Sequence, residues 1–589
     1  MIDSFIIEIE KIVKKAFRDL AVNEDYGQVT ISNRKELGQF QCNGAFKAAK
    51  EVKKSPLEFA SEVTNILTSN DQFSEVTVTP PGFINIKLSN IALTEHLTRI
   101  LNDECIETPL KHNKEKIILD YGGVNIAKAM HVGHLRSSIA GESIKRILKL
   151  LGDEVISDIH LGDWGLPMGM LIEELKEIHP EWPYFQNNFL ENDSYHPPLT
   201  INDLEILYPR AAAKCKVDKD ARDRARAATK KLQQEDRGYL ALWKRFLEVS
   251  ITDIKSQFKI IDVDFDLWLG ESSVNNLIPT MIKTLSDKKI AKESNNALII
   301  QVEKEDDKSP MPPVILVTSD ETITYATTDL ATIIDRVKNY QPTKILYVVD
   351  KRQSLHFEQV FRAAEISEII DNRNKLEHLG FGTINGLDNK PFKTRDGSAM
   401  RLSELINMVI DKARERITQE NIGTELSNDE KETIIHSVAI ATIKFADLST
   451  ELTADYIFDV DKFTSFQGRT GPYILYSAVR VKSILAKAKD RGLVPDKIIL
   501  KDEFEVELAL KIIQFPNIIK STYDNRAPHI LCDYVYTLAQ TFSTFYQNCP
   551  ILKEENKELA ASRLGLATIT LRYFEQILYL LGIKIPNRM

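Results

Sequence analysis

Residues 117–141 read IILDYGGVNIAKAMHVGHLRSSIAG. An apolar run of strand length ends at Tyr121, two glycines break it, and helical periodicity begins just past His131. His131 and His134 stand three apart at that junction, with Gly133 between them. A loop that leaves a parallel strand and enters a helix collects free backbone N–H groups and the positive end of the helix dipole, so phosphates bind well there. Imidazoles at this spacing face one side of the helix, and Gly133 leaves space for a flat base or a ribose. Lys128, on the same loop, adds a full positive charge.

Outward from this stretch the strand–loop–helix rhythm repeats. KIILDY reads as a buried strand, and LRSSIAGESIKRILKLLG as an amphipathic helix ending on Gly152. EVISDIHLGDWG follows as strand and loop; PVILVTSD and KILYVVD are strands around the helical YATTDLATIIDRVKNY. The alternation predicts a parallel α/β sheet with crossover helices. A charged, largely helical stretch at about 181–300, with Trp182, Trp243 and Trp268, interrupts it as an insertion. Before it, residues 1–105 read as a small α+β unit, with helices near 3–19, 36–50 and 56–68. Its two alternating runs, SEVTVTP and GFINIKLS, flank the turn Pro80-Pro81-Gly82, and the helix IALTEHLTRILND closes the unit. From about 397 the pattern is helical to the end.

A chain of 589 residues is too long for one core, so several domains are expected. No run approaches the ~18 apolar residues that span a bilayer. The opening MIDSFIIEIEKIVKKAF reads as an amphipathic helix rather than a signal or transit peptide, which predicts a cytoplasmic protein with no membrane partner. Cys42, Cys105, Cys215, Cys532 and Cys549 are scattered without CxxC spacing, excluding a zinc ribbon and a disulfide framework. A net charge of −9 means that any nucleic acid must be held by local basic surface. In ARDRARAATKKLQQEDR the two signs interleave, as on a solvated helix face.

HVGH followed by LRSSIAGESIKRIL resembles the HIGH signature of class I aminoacyl-tRNA synthetases. The wider NIAKAMHVGHLRS is similar to arginyl-tRNA synthetases in particular. PPGFINIKL, HLGDWG, YATTDLA, FKTRDGSAMRL, GRTGPYILYSAVR and YLLGIKIPNRM agree in order and spacing up to the last residue. The resemblance implies an α/β protein. Its parts would be an N-terminal α+β tRNA-contacting domain (1–108) and a Rossmann-type catalytic domain (109–395) carrying the insertion. A helical stem-contact region (396–464) and an all-helical anticodon-binding domain (465–589) would follow.

The resemblance also implies the chemistry. The amino-acid carboxylate attacks the α-phosphate of ATP, which arrives with Mg²⁺, giving an aminoacyl-adenylate and pyrophosphate. The aminoacyl group then moves to the 2′-OH of the terminal adenosine of tRNA. Neither step needs an enzyme nucleophile, so catalysis is positioning plus electrostatic stabilisation of phosphate. Carried over, Lys128, His131, Gly133, His134, Lys393 and Arg395 would bind ATP, with Lys128, His131, His134 and Lys393 as the catalytic set. The loop PFKTRDGS departs from the family's KMSKS consensus at Asp396, and Lys128 would supply part of the missing charge.

A guanidinium is planar, permanently charged and offers five donors, so a site selecting it needs carboxylates. The family places Asp120 and Asp329 there, at strand-end or loop positions, with Asn125, Tyr325 and Gln353 beside them. Relatives commonly carry Ser-Ser-Pro where this chain has Gly122-Gly123-Val124, which predicts a looser turn. Polar readout of this kind discriminates without an editing domain; the insertion then reads as support for the tRNA acceptor end. Tyr473, Tyr476, Arg480 and Lys482 would meet tRNA, aromatics stacking on bases and cations following the backbone. The expected partners are L-arginine, ATP and arginine tRNA, with tRNA needed for adenylate formation; the chain would act as a monomer with no metal ligands of its own. Two other readings stand beside this one: a class I adenylate-forming enzyme with a non-tRNA acceptor, and an inactive RNA-binding protein on the synthetase frame.

Overall fold

Ile117, Ile118 and Leu119 are fully buried because their strand lies inside a parallel sheet covered on both faces. In the computed structural model, which describes residues 5–589 except 33, 35, 104–112, 187–188, 190–196, 320 and 393–399, this sheet has four strands. Across it they run Lys375–His378, Lys344–Val348, Lys116–Tyr121 and Glu154–Asp158, all parallel. The helix Val132–Leu150 crosses over between the two strands at one side. Tyr325–Tyr340 leads into Lys344–Val348, and Ser354–Ile366 into Lys375–His378. Leu330, Ile333, Phe357 and Val360 pack from these helices onto Ile118, Ile345 and Tyr347. In such sheets ligands bind beyond the carboxyl ends of the strands, here Tyr121, Asp158 and Val348.

Two expectations for this unit need correction. Val314–Val317 is a strand but does not join the parallel sheet; it pairs antiparallel with Ala297–Ile300, which pairs with Ala291–Ser294. Asn295 and Asn296, both at positive φ, close that hairpin in two residues, a geometry that commits the neighbouring chain to antiparallel pairing. The helix Val132–Leu150 is not amphipathic: Arg136, Ser137, Ser138, Glu142, Ser143 and Lys145 are buried with its apolar residues. Its polar side chains are internal connectors. Arg136, for example, is paired with buried Asp447 at 3.0 Å and donates to the carbonyls of Glu451 and Ala454.

Within the insertion lie the helices Ile201–Val217, Lys219–Gln233, Arg237–Ile260 and Ile278–Asp287. Lys219–Gln233 buries Ala221, Ala225, Ala228 and Leu232 and leaves most of its charges outward, as the interleaved signs predict. The unit that holds the parallel sheet comprises Asn113–Glu415 and Thr442–Phe463.

A second unit gathers Met1–His112, Arg416–Ala441 and Thr464–Met589. Its antiparallel sheet has the order Val29–Ile31, Phe40–Cys42, Phe83–Leu88, Phe73–Thr79. The helix expected near 36–50 is shorter, Ala45–Glu51, because Phe40 and Cys42 pair with Ile86 and Ile84 as a strand. Pairing and burial outweigh local propensity there. The helices Phe5–Asp19, Pro56–Leu67 and Asn90–Asn102 form as predicted, and Gly471–Asp490, Pro528–Asn548 and Lys557–Leu580 are the longest of the C-terminal bundle. Cys42, Cys215, Cys532 and Cys549 are buried and in no disulfide; Cys105 lies outside the described residues. Among the described residues no helix is long and apolar enough to cross a membrane.

Candidate active site

His131 caps the helix that starts at Val132, and its Nδ1 accepts the Gly133 N–H at 3.0 Å. His134 Nδ1 in turn accepts the His131 N–H at 3.1 Å, and the two rings lie 3.8 Å apart. Both Nδ1 atoms are therefore acceptors, which places each ring's proton on Nε2. Burial pulls both imidazoles below their ordinary range, with Lys128 adding to the effect on His131 and His131 to that on His134, which falls to about 3. Two neutral N–H donors thus stand at a helix N-terminus, suited to phosphate oxygens. Gly133 has a local cause as well as the predicted one: a Cβ there would meet His131 Cε1 at 2.7 Å.

The loop before this helix is pinned along its length. Gly122 and Gly123 both have positive φ, yet the turn is not loose: Gly122 N–H donates to Ser137 Oγ at 2.8 Å, and Ser137 donates to the Val348 carbonyl at 2.6 Å. Ile126 N–H and Gly162 N–H exchange bonds with the carbonyls of Gly162 and Val124. Asn125 is exposed, and its Oδ1 lies where a Cβ at Gly162 would stand, 2.2 Å away, which accounts for the glycine in HLGDWG. Ala127 N–H donates to Ser250 and Ala129 N–H to Glu205, each at 2.9 Å. Lys128 Nζ lies 4.3 Å above the Tyr208 ring. Lys393 and Arg395 fall outside the described residues.

On the acidic side, Asp120 and Asp158 share the guanidinium of Arg336, whose Nη2 is 2.5 Å from one carboxylate and 2.6 Å from the other. Arg336 is fully buried and lies against the Tyr347 ring. Burial pushes Asp120 up against the pull of Arg336, whereas Asp158, though also buried, is held low by His160 and Arg336. Ligand atoms of Asp120, Asp158 and His160 come within 4.8 Å of one another, a spacing that would suit a metal ion, but the cation among them is Arg336. Asp120, assigned to the substrate by resemblance, therefore has one oxygen already engaged.

Asp329 is the fifth residue of the helix Tyr325–Tyr340 rather than a strand-end or loop residue, and His356 Nε2 lies 2.6 Å from its carboxylate. Tyr325 opens that helix and is 69% exposed; Gln353, also exposed, precedes Ser354–Ile366. Sequence reasoning missed Glu271, in the LGESS stretch assigned to the insertion. Burial, with Asp163 and Asp329 adding repulsion, pushes its carboxyl up to about 7. Burial, Glu271 and Tyr208 likewise raise the Tyr325 hydroxyl. Asp120 and Asp329 both act on Tyr347. The predicted acids, Glu271 and two tyrosines therefore share one electrostatic neighbourhood. No local spacing marks Glu271, since the acids that act on it, Asp163 and Asp329, lie far away in sequence.

In the other unit, Tyr473 is half-buried against Tyr536 and Tyr476 is 43% exposed. Arg480 lies over the Tyr546 ring and Lys482 is 3.4 Å from Glu575, so both cations already have internal partners.

Three family models match the chain. Residues 96–460 match tRNA synthetases class I (R), catalytic domain; residues 7–88 match the arginyl tRNA synthetase N terminal domain; residues 474–589 match the DALR anticodon binding domain. Together with the parallel sheet and the paired imidazoles at its helix start, they define a class I aminoacyl-tRNA synthetase. Relatives include an arginine–tRNA ligase of Alkaliphilus oremlandii, 43% identical over 99% of both chains, and one of Agathobacter rectalis, 42% identical over 99% of both. The crystal structure of arginyl-tRNA synthetase from Plasmodium falciparum superposes with a TM-score of 0.81 at 27% identity, covering 100% of each chain. That of Thermus thermophilus shares the fold, with a TM-score of 0.77 at 21% identity, over 99% of this chain and 100% of its own. The chain belongs to the arginyl-tRNA synthetase family.

Proposed function

We propose that this protein is an arginine–tRNA ligase that activates L-arginine with ATP and passes the arginyl group to the 2′-OH of the terminal adenosine of its tRNA. The observation that carries the site assignment is the reciprocal capping of His131 and His134, which leaves two neutral Nε2–H donors at the start of a helix. In this reading they donate to the triphosphate, and Lys128 leaves the Tyr208 ring to neutralise phosphate charge. Gly133 provides the close approach for the nucleotide, and Lys393 and Arg395 close the site from the second loop. Mg²⁺ enters on ATP, since the carboxylates with metal-like spacing already hold Arg336.

Asp329 and Glu271 grip the guanidinium of the substrate, with Tyr325 over the pocket and Asp120 contributing its free oxygen. Asn125 and Gln353, both exposed beside the strand ends, take the α-amino and carboxylate groups. Tyr473, Tyr476, Arg480 and Lys482 form the tRNA-facing side of the C-terminal helical part, about 465–589, while residues 1–108 reach the outer corner of the tRNA. The protein works in the cytoplasm as a monomer. Aminoacylation with radiolabelled arginine, lysine and ornithine on total tRNA tests the proposal: arginine alone should be loaded. Equal loading of lysine, or loading without ATP, would overturn it.

A further inference from the structure

Glu205, on the insertion helix Ile201–Val217, divides its carboxylate between two segments far apart in sequence. Oε1 accepts the Ala129 N–H at 2.9 Å, on the loop that carries Lys128. Oε2 is 2.5 Å from Arg401 Nη2, whose other terminal nitrogen also reaches Asn202. Only 16% of the Glu205 side chain is exposed, against 45% for Arg401. Arg401 is itself joined to the start of the HVGH helix: Val132 N–H donates to the Met400 carbonyl and Leu402 N–H to that of Met130. Tyr208, one turn beyond Glu205 on the same helix face, holds the Lys128 ammonium over its ring.

From these contacts we propose that Glu205 is a positioning residue for the activation step. It sets the Lys128 loop and the Met400–Leu402 segment against each other, and Tyr208 holds Lys128 until the phosphates of ATP take it. The insertion is then a working part of the ATP site rather than only a support for tRNA. A carboxylate suits this place because one oxygen answers a backbone amide while the other answers a guanidinium, and a charged acceptor strengthens both bonds. Glutamine retains an acceptor for Ala129 but gives up the ion pair. Alanine gives up both and leaves the part-buried Ala129 amide without its carboxylate partner. The inference rests on the assignment of Lys128, His131 and His134 to ATP.

The test is steady-state aminoacylation by the full chain, with KM for ATP, KM for arginine and kcat measured separately. Glu205→Ala should raise KM for ATP about tenfold and Glu205→Gln about threefold, with KM for arginine within about twofold of the parent. In the double variant Glu205→Ala/Arg401→Ala the two losses should not multiply, because both remove one interaction. Parallel shifts in both KM values, multiplying losses, or a change in thermal stability alone in the Gln variant would overturn the proposal. Lys128→Ala serves as the separate check on the underlying assignment. If it leaves ATP kinetics intact, the assignment of this loop to ATP fails; if it weakens ATP while Glu205→Gln does not, only the positioning role fails.

Discussion

Arg336 Nη2 and Asp120 Oδ2 lie 2.5 Å apart at the end of the central strand, and Asp158 completes the grip from the neighbouring strand. The protein has thus placed an arginine of its own beside the pocket assigned to substrate arginine. The internal guanidinium balances two buried acids that would otherwise repel each other, and it aims Asp120 from behind. Replacing Arg336 with Met leaves those acids facing each other without a cation. Breaking a buried pair in this way costs about 3 kcal/mol or more, so the urea midpoint of the Arg336→Met protein should fall clearly. Its KM for arginine should rise more than its KM for ATP. Asp120→Asn, which keeps an acceptor for Arg336, should be milder in stability; an equal loss would refute the pairing as the cause.

On the proposed assignment of Glu271 to the guanidinium, arginine binding should be pH-dependent. Its carboxyl sits near 7 through burial and the repulsion of Asp163 and Asp329, so it is partly protonated in the free protein at neutral pH. A bound guanidinium favours the carboxylate. Arginine binding therefore releases a proton, and affinity rises as pH climbs through about 7. KM for arginine measured from pH 6 to pH 8 should decline, and Glu271→Gln should flatten that profile while raising KM throughout. A slope that survives in Glu271→Gln would assign the titration to another group.

For His134 the shift is downward, and its consequence is for stability. Its folded value of about 3 lies below the ordinary imidazole range, so the unfolded chain takes up a proton first as pH falls. The stability contributed by neutral His134 is full above about 6.5 and drains away as pH falls toward about 3. His134→Gln should make acid unfolding shallower across that window. At pH 7.5, His134→Ala should lower kcat for aminoacylation by about 10²-fold, the usual loss for one donor to a developing phosphate charge. Unchanged kcat would remove His134 from the catalytic set.

Gly133→Ala tests the cap itself. The added Cβ would stand 2.7 Å from the His131 ring, so the ring must swing off the Gly133 amide. The variant should fold, because the crowding involves a movable side chain at an exposed position, yet lose at least tenfold in kcat/KM for ATP. Parent-like kinetics would show that the ring position is immaterial.

A further residue reports on the glycine turn. Ser137 takes the Gly122 N–H and gives its own proton to the Val348 carbonyl, both within buried backbone. Ser137→Ala removes both bonds at once and should cost about 1–3 kcal/mol of stability, read as a lowered thermal midpoint. Ser137→Thr, which keeps the hydroxyl, should recover part of it; no difference between the two would locate the turn's support elsewhere.

How far the residues alone could be read follows from the range over which each signal acts. The strand-to-helix junction at 116–134 and the family resemblance are written in adjacent residues, because hydrophobic period, turn glycines and helix caps all act within a few positions. Ownership of the carboxylates is not local. Asp120 meets Arg336 across 216 positions, and Glu271 comes under the influence of Asp163 and Asp329 from a stretch that reads as insertion. The same holds for the buried polar side of Val132–Leu150, which reads as an amphipathic helix, and for Val314–Val317, drawn to a hairpin instead of the main sheet. Charge pairing and desolvation depend on which groups meet and how much water the surrounding packing removes, and no spacing along one chain encodes either.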